Sequence, residues 1–158
     1  MALVLRPLMP DDVGDARICI SAQFAGTRYE VRALEQLDIA LQFDDPEYMA
    51  LLASSGDDVA LRGLVLFGTV AGARGVVKVH VLVGRGVETA VALLGAVRAT
   101  SEHSGERMIV CELPDDTPLT EAADALDASG FVEAGRVPDF VTDGVALRLL
   151  VHTLVVDA

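Results

Sequence analysis

Residues 76–83, VVKVHVLV, form an apolar, largely β-branched run that enters Gly84-Arg85-Gly86 and passes straight into VETAVALLGAV, where apolar residues recur at helical spacing. A strand, a glycine turn and a helix start must therefore follow one another with almost no loop between them. The first turn of a helix carries N–H groups with no intrahelical acceptor, and the macrodipole adds roughly half a positive charge there. Glycines let a phosphate approach those amides without meeting a Cβ. The segment thus predicts an anion site for a phosphate or pyrophosphate carried by a cofactor. Short Gly-x-Gly turns also occur simply to let strand and helix pack closely, and that reading stands beside the first.

The flanking sequence supplies the rest of the sheet. Leu3, Val4 and Leu5 begin a strand that Pro7, Pro10 and Asp11-Asp12 end, either aspartate serving as N-cap for a helix with Val13, Ala16, Ile20 and Phe24 inward. Val31, Leu34, Leu37 and Leu41 write a second helix, with Glu and Gln opposite, that stops before Asp44-Asp45-Pro46. Three antiparallel strands follow, at roughly 48–54, 59–70 and 75–83, divided by turns at Ser54-Ser55-Gly56-Asp57-Asp58 and Ala71-Gly72-Ala73-Arg74-Gly75. The helix after the glycines points Val87, Ala90, Val91, Leu94 and Val97 inward and ends near Ser104-Gly105. A strand Met108 to Leu113 leads to Thr117 as N-cap, Pro118, and a short helix closed by Gly130. Phe131 to Val141 and Val145 to Val155 are two strands joined at Thr142-Asp143-Gly144. The order β-α-α-β-β-β-α-β-α-β-β predicts an α/β fold, a mostly antiparallel mixed sheet with helices on both faces, in a single domain over residues 1–158.

Composition narrows the function. Twenty-four acidic against 12 basic residues leave a formal charge of −12, a field that repels nucleic acid and anionic membranes and favours a cationic partner such as an amine. No signal peptide or membrane span is legible, so a cytoplasmic protein is expected. Cys19 and Cys111 lie in apolar segments with no metal-ligand spacing and read as buried thiols. His80, His103 and His152 are scattered, and no structural metal is predicted. A Ser-His-Asp hydrolase lacks its Gly-x-Ser-x-Gly elbow.

Four segments, LRPLMPDDV, RGVETAVALL, ASGFVEAGRVPDF and DGVALRLLVHTL, are similar to those of the GNAT-type N-acetyltransferase superfamily, and the resemblance spans nearly the full chain. It implies acetyl-CoA as cosubstrate, held at the strand, glycine turn and helix, and an amine as acceptor. By resemblance Val79 and Val81 would pair with the pantetheine arm, while Gly84, Arg85, Gly86, Val87 and Thr89 would hold the pyrophosphate with Glu88 among them. The family signature, Gln or Arg, two residues, Gly, one residue, then Gly or Ala, falls on Val83, Gly86 and Glu88, of which only Gly86 fits. Glu88 would set a carboxylate beside the phosphates unless it turns outward. Leu119 and Leu126 stand where family members often carry an Asn and the Tyr that protonates the leaving thiolate, whereas Ala122 and Gly130-Phe131 match.

Acetylation of an amine needs a base for its proton and a donor for the thioester oxyanion. His80, on the glycine-turn strand, and Glu112, on the neighbouring strand, are the candidate bases. A satisfied core histidine and a solvated strand-end carboxylate are the alternatives. Tyr29 and Tyr48 could line an acceptor pocket. Two readings follow: an N-acyltransferase working by direct transfer, and a degenerate GNAT-like module that binds acyl-CoA or a protein partner without turnover. A homodimer is expected through a long apolar C-terminal edge, Leu147 to Val156.

Overall fold

The computed structural model describes residues 2–42, 47–56 and 60–155. The expected stop at Asp44-Asp45-Pro46, the Asp57-Asp58 half of a turn, Val59 and Val156 lie outside them. The elements run β1 (Leu3–Pro7), α1 (Val13–Phe24), α2 (Tyr29–Gln42), β2 (Met49–Ser55), β3 (Leu61–Thr69), β4 (Val76–Gly84), α3 (Val87–His103), β5 (Met108–Pro114), α4 (Thr120–Ala128), β6 (Val132–Thr142) and β7 (Val145–Thr153). This is the order read from the sequence. The strands form one sheet in the order β1-β2-β3-β4-β5-β7-β6, with helices on both faces.

The pairs β2–β3, β3–β4 and β6–β7 are consecutive in the chain, and every strand pair is antiparallel except β4 with β5. Those two are joined through α3, and a strand that returns by a helical crossover lies parallel to its predecessor. Ile20 of α1, Leu37 of α2, Leu52, Leu64 and Leu66 of the sheet, Leu93 of α3 and Leu126 of α4 are fully enclosed. Burying each such side chain contributes about 1.5–3 kcal/mol before entropy is counted.

Three local expectations are corrected. Asp12 occupies the N-cap position of α1 as expected but makes no side-chain capping bond to it; its carboxylate accepts from the Met9 N–H at 2.8 Å and takes both Arg6 guanidinium nitrogens at 2.7 Å, closing the 3-10 turn Pro10–Asp12 that precedes the helix. The cap before α4 is Asp116 rather than Thr117: its side chain accepts from the Thr117 N–H at 2.9 Å, and Thr117–Leu119 is itself a 3-10 turn. In α2 the polar face is not all outside, for Gln36 is buried while Val31 is 64% exposed.

Candidate functional site

β4 and β5 are paired only at Val76–Met108, Val77–Ile109 and Lys78–Val110. Beyond that point β4 stays with β3 and β5 stays with β7, so the sheet splits between them. A β-bulge marks where the split begins. Leu66 lies opposite Val81 and Phe67 opposite Val79, which leaves His80 with no partner on β3. The extra residue bends its strand and raises the local twist, carrying the end of β4 away from β5.

The bulge also decides which backbone groups face the split. The β3–β4 ladder is flanked by bonds from the Val70 N–H to the Val76 carbonyl (3.3 Å) and from the Arg85 N–H to the Arg62 carbonyl (2.7 Å). Because antiparallel bonding alternates, Val81 and Val83 spend their backbone groups on β3, whereas Leu82 and Gly84 turn theirs to the open side. Val79 sits at the apex of the split. Of the two expected pantetheine partners, Val79 lies beside the split, whereas the backbone groups of Val81 face β3; beyond the bulge it is Leu82 whose backbone turns to the open side.

The split holds a cavity of about 220 Å³. Its walls come from both faces of the sheet: Tyr29, Arg32 and Gln36 on α2, residues 78–82 of β4, residues 111–114 of β5, and Ala122 and Leu126 on α4. The two candidate bases, His80 and Glu112, thus share one cavity despite lying on different strands. They do not share one environment. Glu112 pairs with Lys78, its oxygen 3.4 Å from the ammonium. His80 stacks on Tyr48, ring centres 4.9 Å apart and planes 19° off parallel, and its Nε2 is 2.9 Å from the Glu47 carbonyl. A carbonyl can only accept, so Nε2 carries the proton and Nδ1 is the basic nitrogen. Burial pulls the His80 pKa below its ordinary 6.5, outweighing the carbonyl, which acts in the other direction. The imidazole is neutral at pH 7.

Other lining groups are chemically quieter. Burial pushes the Cys111 thiol up to about 12, which keeps it protonated and removes it as a nucleophile. The Tyr29 hydroxyl donates to Asp116 Oδ2 at 2.6 Å, tying the start of α2 to the turn before α4 across the cavity. Burial and this bond both raise its pKa. Leu126 is fully buried in the wall, where it offers no proton to a leaving thiolate.

At the glycine turn only Arg85 and Gly86 separate β4 from α3. Gly86, at φ +86°, is the N-cap, and no side chain caps the helix. Gly84 serves packing, since a Cβ there would stand 2.8 Å from the Ala90 nitrogen. The packing reading of the glycines therefore holds at Gly84. The Arg85 amide is a correction: its N–H already bonds Arg62 on β3 and is closed to a phosphate. The Thr89 hydroxyl is likewise committed, donating to the Arg85 carbonyl at 3.1 Å. The groups expected to hold an anion are thereby narrowed to main-chain amides from Gly86 onward. Glu88 folds back over them, its Oε2 3.0 Å from where a Cβ on Gly86 would stand, but the side chain is exposed and has room to swing away.

Sequence reading missed Arg32, Gln36 and Lys78. Tyr29, Arg32 and Gln36 recur at i, i+3 and i+7, a helical stripe that was legible in the sequence, but the stronger Val/Leu stripe drew the helix the other way round.

No family model matches the sequence, and no curated protein matches it. Among solved structures the chain is similar to a GNAT-family protein from Desulfovibrio desulfuricans at 17% identity, TM-score 0.82, covering 96% of this chain and 99% of that one. It is similar to the aminoglycoside 6'-N-acetyltransferase of Enterococcus faecium at 12% identity, TM-score 0.77, covering 98% and 99%. A Salmonella typhimurium protein solved with its cofactor acetyl-CoA matches at 15% identity, TM-score 0.74, covering 100% and 97%. With its split sheet, bulged β4 and glycine-led α3, the chain has the GNAT-type acetyltransferase fold along nearly its whole length.

Proposed function

We propose that the protein is an acyl-CoA-dependent N-acyltransferase that moves an acetyl group from acetyl-CoA to an amine. The observation that carries this reading is the cavity between β4 and β5 with neutral His80 in its wall. In this reading the acyl arm lies along the open side of β4, bonded to Val79 and Leu82, and the diphosphate rests on the amides of Gly86, Val87, Glu88 and Thr89. Acetyl-CoA in the Salmonella neighbour supports the choice of cosubstrate.

The amine nitrogen attacks the thioester carbon, forming C–N, and the C–S bond breaks as the tetrahedral intermediate collapses. His80 Nδ1 takes the amine proton, and water protonates the thiolate in place of the absent tyrosine. Glu112, held by Lys78, sets the local field and does not act as the base. The Leu82 amide, turned to the split, is a donor for the oxyanion.

A second reading, an acyl-CoA-binding module without turnover, is favoured by Leu126 at the position of the usual acid and by Glu88 over the helix start. Thiol release measured with acetyl-CoA and a panel of amines separates the two. Release of one CoA per amine acetylated supports transfer; acetyl-CoA binding with no release on any amine supports the second reading.

A further inference from the structure

The acceptor side of the cavity carries a feature that net charge does not foretell. Arg32 and Gln36 stand one turn apart on α2, both in the cavity wall. Among the described residues the Arg32 guanidinium has no ion pair or hydrogen bond. Gln36 is 9% exposed, and its side-chain amide has no hydrogen-bond partner among the described residues either. An unpartnered amide that opens into a cavity is placed for a ligand. The neighbouring charges do not satisfy them: Glu112 is engaged by Lys78, and Asp116 accepts from Tyr29. The side chains of the wall thus include two cations, Arg32 and Lys78, against the single carboxylate of Glu112, in a molecule whose net charge is −12.

Given the transferase reading, on which this rests, we infer that the acceptor is an amine that itself bears a carboxylate, a small amino acid, with the carboxylate held by Arg32 and Gln36 and the amine directed to His80 Nδ1. A guanidinium fork matches a carboxylate in two parallel hydrogen bonds, and the Gln36 amide adds a neutral donor beside it. Lining by Phe24, Ala33, Leu113 and Leu147 leaves an apolar volume suited to a small aliphatic side chain. The overall acidic field is screened within about 8 Å at physiological salt. Arg32 is exposed, and its contact with a bound carboxylate is screened less than the distant field, so the local charge sets the preference.

The test uses full-length protein whose acetyl-CoA binding is first verified by calorimetry. Thiol release is then measured with free amino acids of small aliphatic side chain, their amides, the matching aminophosphonates and simple alkylamines. The carboxylates are expected to exceed the amides in kcat/KM by about tenfold or more, the range of one charge-assisted hydrogen bond. In Arg32→Gln that advantage is expected to collapse through KM with little change in kcat, and Gln36→Leu to shrink it in the same way. Thermal melts check that both variants fold. Amides or alkylamines matching the carboxylates, phosphonates surpassing them, an advantage that persists in Arg32→Gln, or no acetylation of any amino acid by protein that binds acetyl-CoA would each overturn the inference while leaving cosubstrate binding intact. Failure to bind acetyl-CoA removes the transferase reading and this inference with it.

Discussion

In the proposed transfer His80 is the base, and two neighbours together with burial set its state. Tyr48 fixes the ring plane, the Glu47 carbonyl fixes the tautomer, and burial keeps it neutral. His80→Ala is expected to lower kcat by about 10²–10⁴-fold while acetyl-CoA affinity stays within a small factor, measured by thiol release and calorimetry. An unchanged kcat would remove the base role. Since the active form is the neutral imidazole and its pKa lies below 6.5, kcat/KM should carry, apart from the limb set by the amine's own titration, an acid limb with its midpoint under that value. Stability follows the same sign. The unfolded state takes up the proton first, so the contribution of neutral His80 is complete above 6.5 and is lost as pH drops through its folded pKa, which denaturant melts across pH 5–8 would detect. The glycines make a separate prediction. Gly86→Ala should cost about 1–3 kcal/mol from its positive-φ, extended backbone alone, read as a shift in the unfolding midpoint.

At the scale of elements, periodicity fixed the strands and helices well because each has one face against a continuous core. The β4–Gly–α3 unit and the full element order were legible for that reason. What could not be read is the bulge at His80: inserting one residue into a ladder leaves no mark in an apolar run, yet it reverses which amides face the split, turning Leu82 rather than Val81 to the open side. The same holds for the Arg85 amide, whose partner, Arg62, is far away in sequence. On α2 a helix that borders both core and cavity has two inward stripes, and apolar counting detects only one. Glu88 was legible as a departure, and its position bears on affinity. With its carboxylate folded over the first turn of α3, Glu88→Gln should tighten acetyl-CoA several-fold and flatten the salt dependence of binding. Equal or weaker affinity would mean the side chain swings clear at no cost.

For the whole molecule, the sheet ends at β1 and β6, and the C-terminal edge open to a second copy is β6, since β7 is flanked by β5 and β6 and the apolar edge expected at Leu147 to Val156 is interior to the sheet as far as it is described. Val132, Val137 and Phe140 of β6 are exposed, and a long bare edge strand invites pairing. A homodimer formed there should elute from gel filtration at twice the chain mass, and Phe140→Glu should return it to the monomer position; elution of the wild type as a monomer would exclude it. Among the described residues no helix is long and apolar enough to cross a membrane. The split sheet and the helix start beyond it matter only if a nucleotide thioester fits between them, and calorimetric titration with acetyl-CoA measures that directly. Saturable heat at one acetyl-CoA per chain, weakened by Gly86→Ala, is the predicted result; absence of heat at about millimolar ligand would contradict it.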